Sequence, residues 1–587
     1  MWCICVTIRP EPYNSLGVKH MFIRRVPRKS GEVGIVLVEN YRENGRVKQR
    51  TIQYLGTESE LNKKKSTCVD ALKKKYNGKT SKASLIYLTL NPNEKIPKHN
   101  TVRNFGYFYL EKMYQELGLD EVCKAIQTKS KIQYDLNGCL KQMCFLRALE
   151  PSSKKSTQKL GTDFFLEDVQ IKLEDLYKAL TVLSEHKDEF VSRMHQELKS
   201  RYGRQTEILY YDVTNYFFEI DEPDMFRIKG CSKEHRPLPI VQMGLFMDQQ
   251  SLPVDFYLYE GNKPDCTTLQ PSFEKVKALY GTDKIIVTAD KGLNSASNLG
   301  YLLSQGNGYI VSQRIRGASK ELRDEVLKDE GWEGADSGDF EIKQFTRTIT
   351  VTYPDKTKHE HIQKVVCIWS RKYQVKEKEE RDNLLDKIAK LAADPKAFKR
   401  SCHMGMRKYI DEAIVNVETG EIEKDCKTHT AINHKKIAED EALDGYYLIV
   451  TSETELSASE ILNRYRGLWR IEQTFRITKS ELQSRPVFVR TKEHIHAHFL
   501  TCFMALTMLR MLEVRLNRRY SCGKIIDGLK SATASEIKKG FYSINKWNDV
   551  ITEINSRYQI PLEQRYVKRE ELSLFRKQVL KAVYTTF

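Results

Sequence analysis

The sequence predicts an α/β protein: a mixed-sheet core interrupted by a mainly β insertion, with an N-terminal β unit, an N-terminal helical region and a C-terminal helical tail. Three observations predict it. Residues 207–314 read strand, strand, strand, helix, strand, helix, strand. Residues 101–200 are helical in period throughout. An amphipathic helix that the core still lacks arrives only at residue 457, after about 140 residues of different character.

The elements follow in order. From Met21, "MFIRRV", "IVLVENYR" and "KQRTIQYLG" alternate as short strands joined across "ENG", giving a β unit over 21–95. The clean start at Met21 makes it a candidate initiator beside Met1, and the preceding stretch lacks the charged and apolar regions of a signal peptide. The helical region, 100–203, includes "NFGYFYLEKMYQELGLDEVCKAI" and "LEDLYKALTVLSEHKDEFVSRMHQEL"; it suits DNA binding, with a plain helical spacer as the alternative. The core's first part spans 205–330. Its strands are "EILYYDVTN", "PIVQMGLFMD", "LPVDFYLYEG", "DKIIVTAD" and "GYIVSQR"; hairpins join the first three and helical crossovers the rest. That succession is ribonuclease-H-like. The mainly β insertion covers 331–452 and includes one charged helix, "KEKEERDNLLDKIAKLAAD". Residues 455–515 hold the closing helix and the one after it, and 516–587 form a helical tail suited to pairing protomers. The apolar stretch "FLTCFMALTMLRML" is short of a membrane span and carries Arg510, so it reads as a buried helix.

Composition narrows the classes. Lys and Arg number 96 against 78 Asp and Glu, a net charge of +18 that fits a polyanionic partner, nucleic acid first and an anionic membrane surface second. The basic runs "NKKKSTCVDALKKKY", "RIRGASKELR" and "VKREELSLFRKQVLK" each read singly as solvated faces. The 13 scattered cysteines, with no Cys-x-x-Cys, exclude a disulfide framework and a zinc ribbon and fit a reducing cytosol. No Gly-x-x-x-x-Gly-Lys loop is present, so no nucleotide triphosphate is expected.

Three carboxylates stand out. Asp212 sits inside the apolar strand "ILYYDVTNYFF", where an unpaired carboxylate is expensive to bury, and Asp290 ends the strand "KIIVTAD". On a 3.6-residue turn, Tyr465, Leu468, Glu472, Phe475 and Lys479 form one stripe, which puts Glu472 on the inward face of the closing helix. Two aspartates at one sheet edge repel unless a cation lies between them, and Glu472 supplies a third oxygen. Such hard ligands suit Mg²⁺, with Mn²⁺ able to substitute, and a pair of ions suits phosphodiester displacement. Lys479 and Arg476 then hold DNA phosphates beside the metals, and the basic loop "SKEHRP", with Lys233 and Arg236, adds contacts at the same edge. The plain alternatives are solvated carboxylates and, for Asp290, a helix N-cap.

Other features weigh less. His494, His496 and His498 in "HIHAH" do not share a helical face, so a structural or phosphate-contacting role is preferred to a metal site. Asn262 and Asp265 read as a turn before a helix. Core packing is preferred for Trp469 and Tyr465 over stacking on a flipped base.

Taken together, "YYDVTNYFFE", "GCSKEHRPLPIVQMGLFMD", "LYEGNKPDCTTLQP", "VTADKGLNS", "DGYYLIVTS" and "YRGLWRIEQTFRITKSEL" resemble the DDE transposases of bacterial insertion sequences, in the branch with a β insertion. The resemblance runs from about residue 21 to 510. It implies a catalytic and metal-binding triad of Asp212, Asp290 and Glu472. Its Tyr-Arg-Glu-Lys signature falls on Tyr465, position 468, Glu472 and Lys479, but position 468 is Leu, which leaves Arg466, Arg470 or Arg476 to replace the family's arginine, Arg476 being best placed on the face of Glu472. By resemblance the chain is a Mg²⁺-dependent enzyme that cleaves DNA at inverted-repeat ends and joins the 3′ ends to a target. It would act as a homodimer on DNA in the bacterial cytoplasm, at the nucleoid, away from membranes. A metal-dependent nuclease without strand transfer, and a decayed DNA-binding derivative, are the rival readings.

Overall fold

The computed structural model describes residues 20–28, 31–43, 46–64, 95, 101–164, 171–233, 236–280, 284–334, 338–392, 406, 408–414, 428–558 and 564–583. The chain divides into two compact units, Met1–Lys95 and Ile96–Phe587.

In the first unit, β1 (His20–Pro27), β2 (Val33–Glu43) and β3 (Arg46–Thr57) form an antiparallel meander, followed by a helix, Glu58–Lys64. The alternation from Met21 onward is present, but β2 and β3 are long, at 11 and 12 residues. Strand pairing that continues up to Glu43 opposite Arg46 accounts for the extra length. Alternation places Ile23, Ile35 and Leu37 on one face, where Val33, Leu55 and the helix residue Leu61 pack on them. Met1, most of the first lysine-rich run and the rest of the expected β unit lie outside the described residues.

The second unit opens with a short strand, β4 (Val102–Asn104), and the helices of the region Tyr107–Tyr202. Its core sheet holds β5 (Ile208–Phe217), β6 (Ile240–Met247), β7 (Pro253–Glu260), β8 (Ile286–Ala289) and β9 (Gly308–Gln313). β5, β6 and β7 are antiparallel hairpin neighbours, whereas β8 and β9 run parallel to β5 through helical crossovers. The order β7-β6-β5-β8-β9 is the one the element succession predicts. β5 and β6 are buried over nearly their whole length, which is why both read as continuous apolar runs.

The insertion proves to be continuous with this sheet. β10 (Trp332–Gly334), β11 (Phe340–Thr352) and β12 (Lys358–Ser370) extend it beyond β9. The helix Arg371–Ala392 and a separate hairpin of β13 (Ile410–Ile414) and β14 (Thr428–Ile432) follow. The chain then returns as β15 (Tyr446–Thr451), which pairs with β9 on one side and β12 on the other. The result is a nine-stranded sheet in which the outer edge of β9, otherwise a row of unpaired peptide groups, is covered.

The tail carries helices, and also β16 (Thr533–Lys538), β17 (Phe541–Ile544) and β18 (Tyr566–Lys568), which join β4 in a four-stranded sheet. This long-range closure is invisible to local periodicity. The tail packs on the N-terminal helices: the Asn104 amide donates to the Leu529 carbonyl at 2.8 Å, and Arg576 donates to Glu111 at 2.6 and 2.7 Å. Its apolar stripe Leu572, Phe575 and Val579 is buried inside the unit. The apolar stretch around 499–512 belongs to a longer helix than expected, Lys492–Arg515, of 24 residues. By length and composition that helix suffices to cross a membrane, but 94% of its most apolar window is buried inside the protein. Arg510, at 1% exposure, is held there by Glu513 and Thr474. Every described cysteine is a free thiol.

Candidate active site

Asp212 lies mid-strand on β5, the strand between β6 and β8, and accepts its neighbour's Val213 N–H at 2.7 Å. Burial pushes its carboxyl up to about 6; Asp290 and Asp265 push the same way, while Lys233 and the Val213 N–H oppose. Asp290 follows the last residue of β8 and is exposed. Although it precedes a short 3₁₀ turn, Lys291–Leu293, its side chain makes no capping bond there. Instead its Oδ1 accepts the Ser312 hydroxyl at 3.0 Å and lies 3.4 Å from the Tyr465 hydroxyl. The N-cap reading of Asp290 therefore fails.

The closing segment is two helices, Ala458–Arg466 and Trp469–Ser480, and not the single helix expected. At the break, Gly467 donates to Arg464 and Leu468 to Tyr465, both at 3.0 Å and both spanning three residues, so the turn tightens. Glycine is required by close packing: a Cβ at 467 would lie 2.1 Å from the Tyr210 hydroxyl. Tyr465 and Glu472 thus sit on different helices. The buried members of the predicted stripe are Leu468 and Phe475, whereas Glu472, in the first turn of the second helix, is exposed.

Asp212, Asp290 and Glu472 line one open cleft of about 1200 Å³. Of the four carboxylates in the lining, Glu377 is engaged by Arg316, which leaves these three as a donor set; with no histidine or thiol in the lining, they fit a hard divalent cation. Among the described residues no three His, Cys, Asp or Glu side chains stand close enough to hold an ion as they are placed. The Asp290 charge raises the Asp212 carboxyl further, behind the larger effect of burial.

The cationic side chains distribute unevenly. Lys233 donates to the Val213 carbonyl and lies 3.5 Å from the Asp265 carboxylate. Lys479 sits over the Tyr216 ring at 5.5 Å; burial pushes its ammonium down to about 8, Lys233 adds to this, and Asp212 opposes it. Both lysines therefore flank Asp212. Arg236 lies over the Phe217 ring at 4.4 Å, on the same strand. Arg466 lines the cleft, whereas Arg476 is exposed and absent from the cleft's lining. Arg470 is turned to the Gln249 carbonyl at 2.8 Å. With Leu at 468, Arg466 is the guanidinium of the closing segment that faces the carboxylates' cleft.

Several lining residues escaped the sequence reading. Arg314 and Arg316 belong to the run "RIRGASKELR", read as a solvated face, yet both line the cleft. Glu377 holds Arg316 at 3.0 and 3.2 Å and Asp444 holds it at 2.8 Å, from sequence positions that no local pattern connects. Lys291 and Ser312 are lining residues too. Trp469 is 55% exposed at the cleft, so the core-packing preference is wrong for it; Tyr465 is half-buried. Asp265 opens a 3₁₀ turn as expected, after Asn262 in the turn that follows β7. The histidines diverge: His494 meets Thr181 at 3.2 Å, His496 stacks on Phe226 at 5.6 Å, and His498 bonds the Ser484 carbonyl at 3.0 Å. Their structural reading holds.

Residues 218–508 match the transposase DDE domain, a span that contains Asp290 and Glu472 and begins just after Asp212. Residues 23–85 match the N-terminal domain of IS1634 family transposases. No curated protein matches the chain. Among solved structures, a cryo-EM structure of a piggyBac transposase synaptic complex with hairpin DNA is similar over 81% of this chain and 84% of that one, at 8% identity and a TM-score of 0.34. The two domain matches, in order along the chain and together spanning more than half of it, show that the protein belongs to the DDE transposases of insertion sequences.

Proposed function

We propose that this transposase binds the inverted-repeat ends of its own element, cleaves them, and joins the freed 3′ ends to target DNA. One observation carries the reading: two central strands and the second closing helix bring Asp212, Asp290 and Glu472 to one cleft that Arg466 also lines, with Lys233 and Lys479 beside Asp212. These three carboxylates would hold Mg²⁺, with Mn²⁺ as substitute. Divalent ions held by these carboxylates would supply activation of water or a 3′ hydroxyl and stabilisation of the leaving oxygen. The protein's own part is positional. Ser312 fixes one oxygen of Asp290, and the lysines and Arg466 bind phosphates beside the carboxylates. Action as a homodimer on DNA, in the bacterial cytoplasm, belongs to the same proposal.

The test is excision from a plasmid carrying the element's own ends, in Mg²⁺ or Mn²⁺ against EDTA. Wild type should excise only with metal; Glu472→Gln and Asp290→Asn should bind the ends and not cut. Cutting by either variant overturns the triad. Cutting without joined products would leave a metal-dependent nuclease. The reading as a decayed DNA binder is favoured by one observation, buried Leu468 at the signature's arginine position, and binding without cutting by wild type would establish it.

A further inference from the structure

The nine-stranded sheet ends in β11 and the three-residue β10, and most of the outer edge of β11 is bare. β10 pairs with it at Glu341–Lys343 alone. At the far end the helix Ala296–Ser304 closes on the strand: a Cβ at Gly300 would lie 2.2 Å from the Thr352 carbonyl oxygen. Gln344–Val351 lie between these two stops. Across the turn into β12 the Tyr353 N–H donates to the Thr357 carbonyl at 2.9 Å. Bonded and non-bonded pairs alternate along an antiparallel ladder, so the peptide groups of Gln344, Thr346, Thr348 and Thr350 point away from β12. Among the described residues no strand pairs with them. Natural edges of this length are blunted by lysine, proline or a bulge. This edge has none of these: the register with β12 is unbroken over the 13 residues of β11, and from Gln344 to Thr352 the one charged side chain is Arg347. That guanidinium is turned onto Gln363, at 2.6 and 2.9 Å, and Gln313, at 3.2 Å. The side chains of Gln344, Thr346, Thr348 and Thr350 are exposed. By contrast, the outer strands of the first unit carry Arg24, Arg25, Lys48 and Arg50.

We propose that this edge pairs with the same edge of a second copy of the chain, antiparallel about Thr348, so that one sheet runs through both protomers. The segment is self-complementary in that register. Thr346 falls opposite the second copy's Thr350, Phe345 opposite Val351 and Arg347 opposite Ile349, so no like charges meet. Threonine pairs and aromatic pairs with β-branched residues are favoured cross-strand neighbours. Because Thr348 points its peptide groups outward, pairing centred there makes bonded pairs of all the outward residues from Thr346 to Thr350, with about six backbone hydrogen bonds in all. The two-fold uses up both edges and leaves none free, which closes a dimer and not a fibre. Charge selects the occupant: on a chain of net charge +18, an uncharged β-branched edge offers nothing to nucleic acid and much to another such strand. This names a surface for the homodimer proposed above, and that the pair holds two element ends rests on that reading.

The test uses the full-length protein in EDTA, free and on a duplex carrying the terminal inverted repeat. Thr348→Cys is oxidised with diamide beside wild type, which reports the background of the native thiols. Residues facing each other in a bonded antiparallel pair have Cα atoms about 5.5 Å apart, within the reach of a disulfide. Thr348→Cys should therefore give a cross-linked dimer above background. Thr346→Cys, which faces position 350 and not its own copy, should not, and Thr346→Cys/Thr350→Cys should restore the product. Thr348→Lys sets two ammonium groups against each other and should raise the dimer dissociation constant in sedimentation about tenfold or more. No product from Thr348→Cys in either state overturns the pairing and leaves the edge to a strand of another protein. Equal cross-linking of Thr346→Cys and Thr348→Cys overturns it too, as does an unchanged dimer in Thr348→Lys. Should the lysine variant fold poorly by its melting curve, the cysteine series decides alone. Metal-dependent excision that needs Glu472, without the cross-link, would sink this inference and leave the transposase reading standing; the cross-link without excision would do the reverse.

Discussion

The Ser312 hydroxyl donates to Oδ1 of Asp290 at 3.0 Å, from β9 to the residue just after β8. The two strands are parallel neighbours, so the bond is built into the sheet register. It fixes one carboxylate oxygen and leaves the other to the cleft. The Asn294 amide holds the Ser312 carbonyl at 2.9 Å, which steadies the serine in turn.

Ser312→Ala should therefore weaken metal affinity by about 10–100-fold, the usual effect of losing a hydrogen bond to a ligand. Binding of element ends in EDTA should be unchanged, and Ser312→Thr should restore the metal response. Calorimetric titration with Mn²⁺ and the half-saturating Mg²⁺ for excision measure this. An unaltered ion affinity in the alanine variant would remove Ser312 from the site.

Gly467→Ala tests the break between the closing helices. The new methyl meets the buried Tyr210 hydroxyl at 2.1 Å, and only a shift of the ring or of the second helix relieves it. Overpacking of this kind typically destabilises by about 1–3 kcal/mol. Excision should fall further than stability does, because the same shift moves Glu472. Denaturation midpoints and excision rates together decide it; a variant as active and stable as wild type would mean the break is not set by this contact.

These contacts explain what was legible in the sequence and what was not. The order of β5 to β9 was readable because each strand is a local run and each connection length dictates hairpin or crossover. Asp212, Asp290 and Glu472 stood out in the sequence because a carboxylate beside apolar periodicity needs a reason, and the fold brings the three to one cleft although Glu472 is exposed and off the buried stripe. Fusion of the insertion with the core sheet was not, since the pairing of β15 with β9 is set by tertiary closure over a long separation. The helix break at Gly467 was hidden because Tyr210, its cause, lies far away in sequence. Arg316 was hidden for the same reason: Glu377 and Asp444 hold it from distant segments.

Acid should destabilise the protein through its buried histidines. Burial lowers His195 and His496 from near 6.5 to about 4, with Arg204 and Lys199 adding to the first and Lys187, Lys492 and Lys275 to the second; Glu493 opposes at His496. Burial, with Arg147 and Lys154, holds His498 well below its ordinary value, against the Ser484 hydrogen bond. Each imidazole stays neutral when folded and takes up a proton on unfolding below about 6.5. Stability is thus fully present above that pH and is lost as pH falls from about 6.5 toward 4. Urea midpoints between pH 7.5 and 5 should show the decline, and His496→Phe, which keeps the stack on Phe226, should flatten it. A slope that the substitution leaves unchanged would exclude His496 as a contributor.

Arg510 links the central helix to the one that carries Glu472. Its guanidinium donates to Glu513 at 2.5 Å and to the Thr474 hydroxyl at 2.7 Å, and Thr474 lies on the Trp469–Ser480 helix. Arg510→Ala strands the buried Glu513 carboxylate without its cation, which should destabilise by about 3–5 kcal/mol. Removing both charges in Arg510→Met/Glu513→Leu should recover most of that stability, because an apolar pair of similar volume replaces a buried ion pair at little net cost. Excision should stay impaired in the double variant, since the Thr474 anchor is still missing and the Glu472 helix is less firmly held. Chemical denaturation and excision on the same preparations separate the two effects. Full recovery of both would mean that Arg510 serves only the core; recovery of stability alone means that it also positions the helix that carries Glu472.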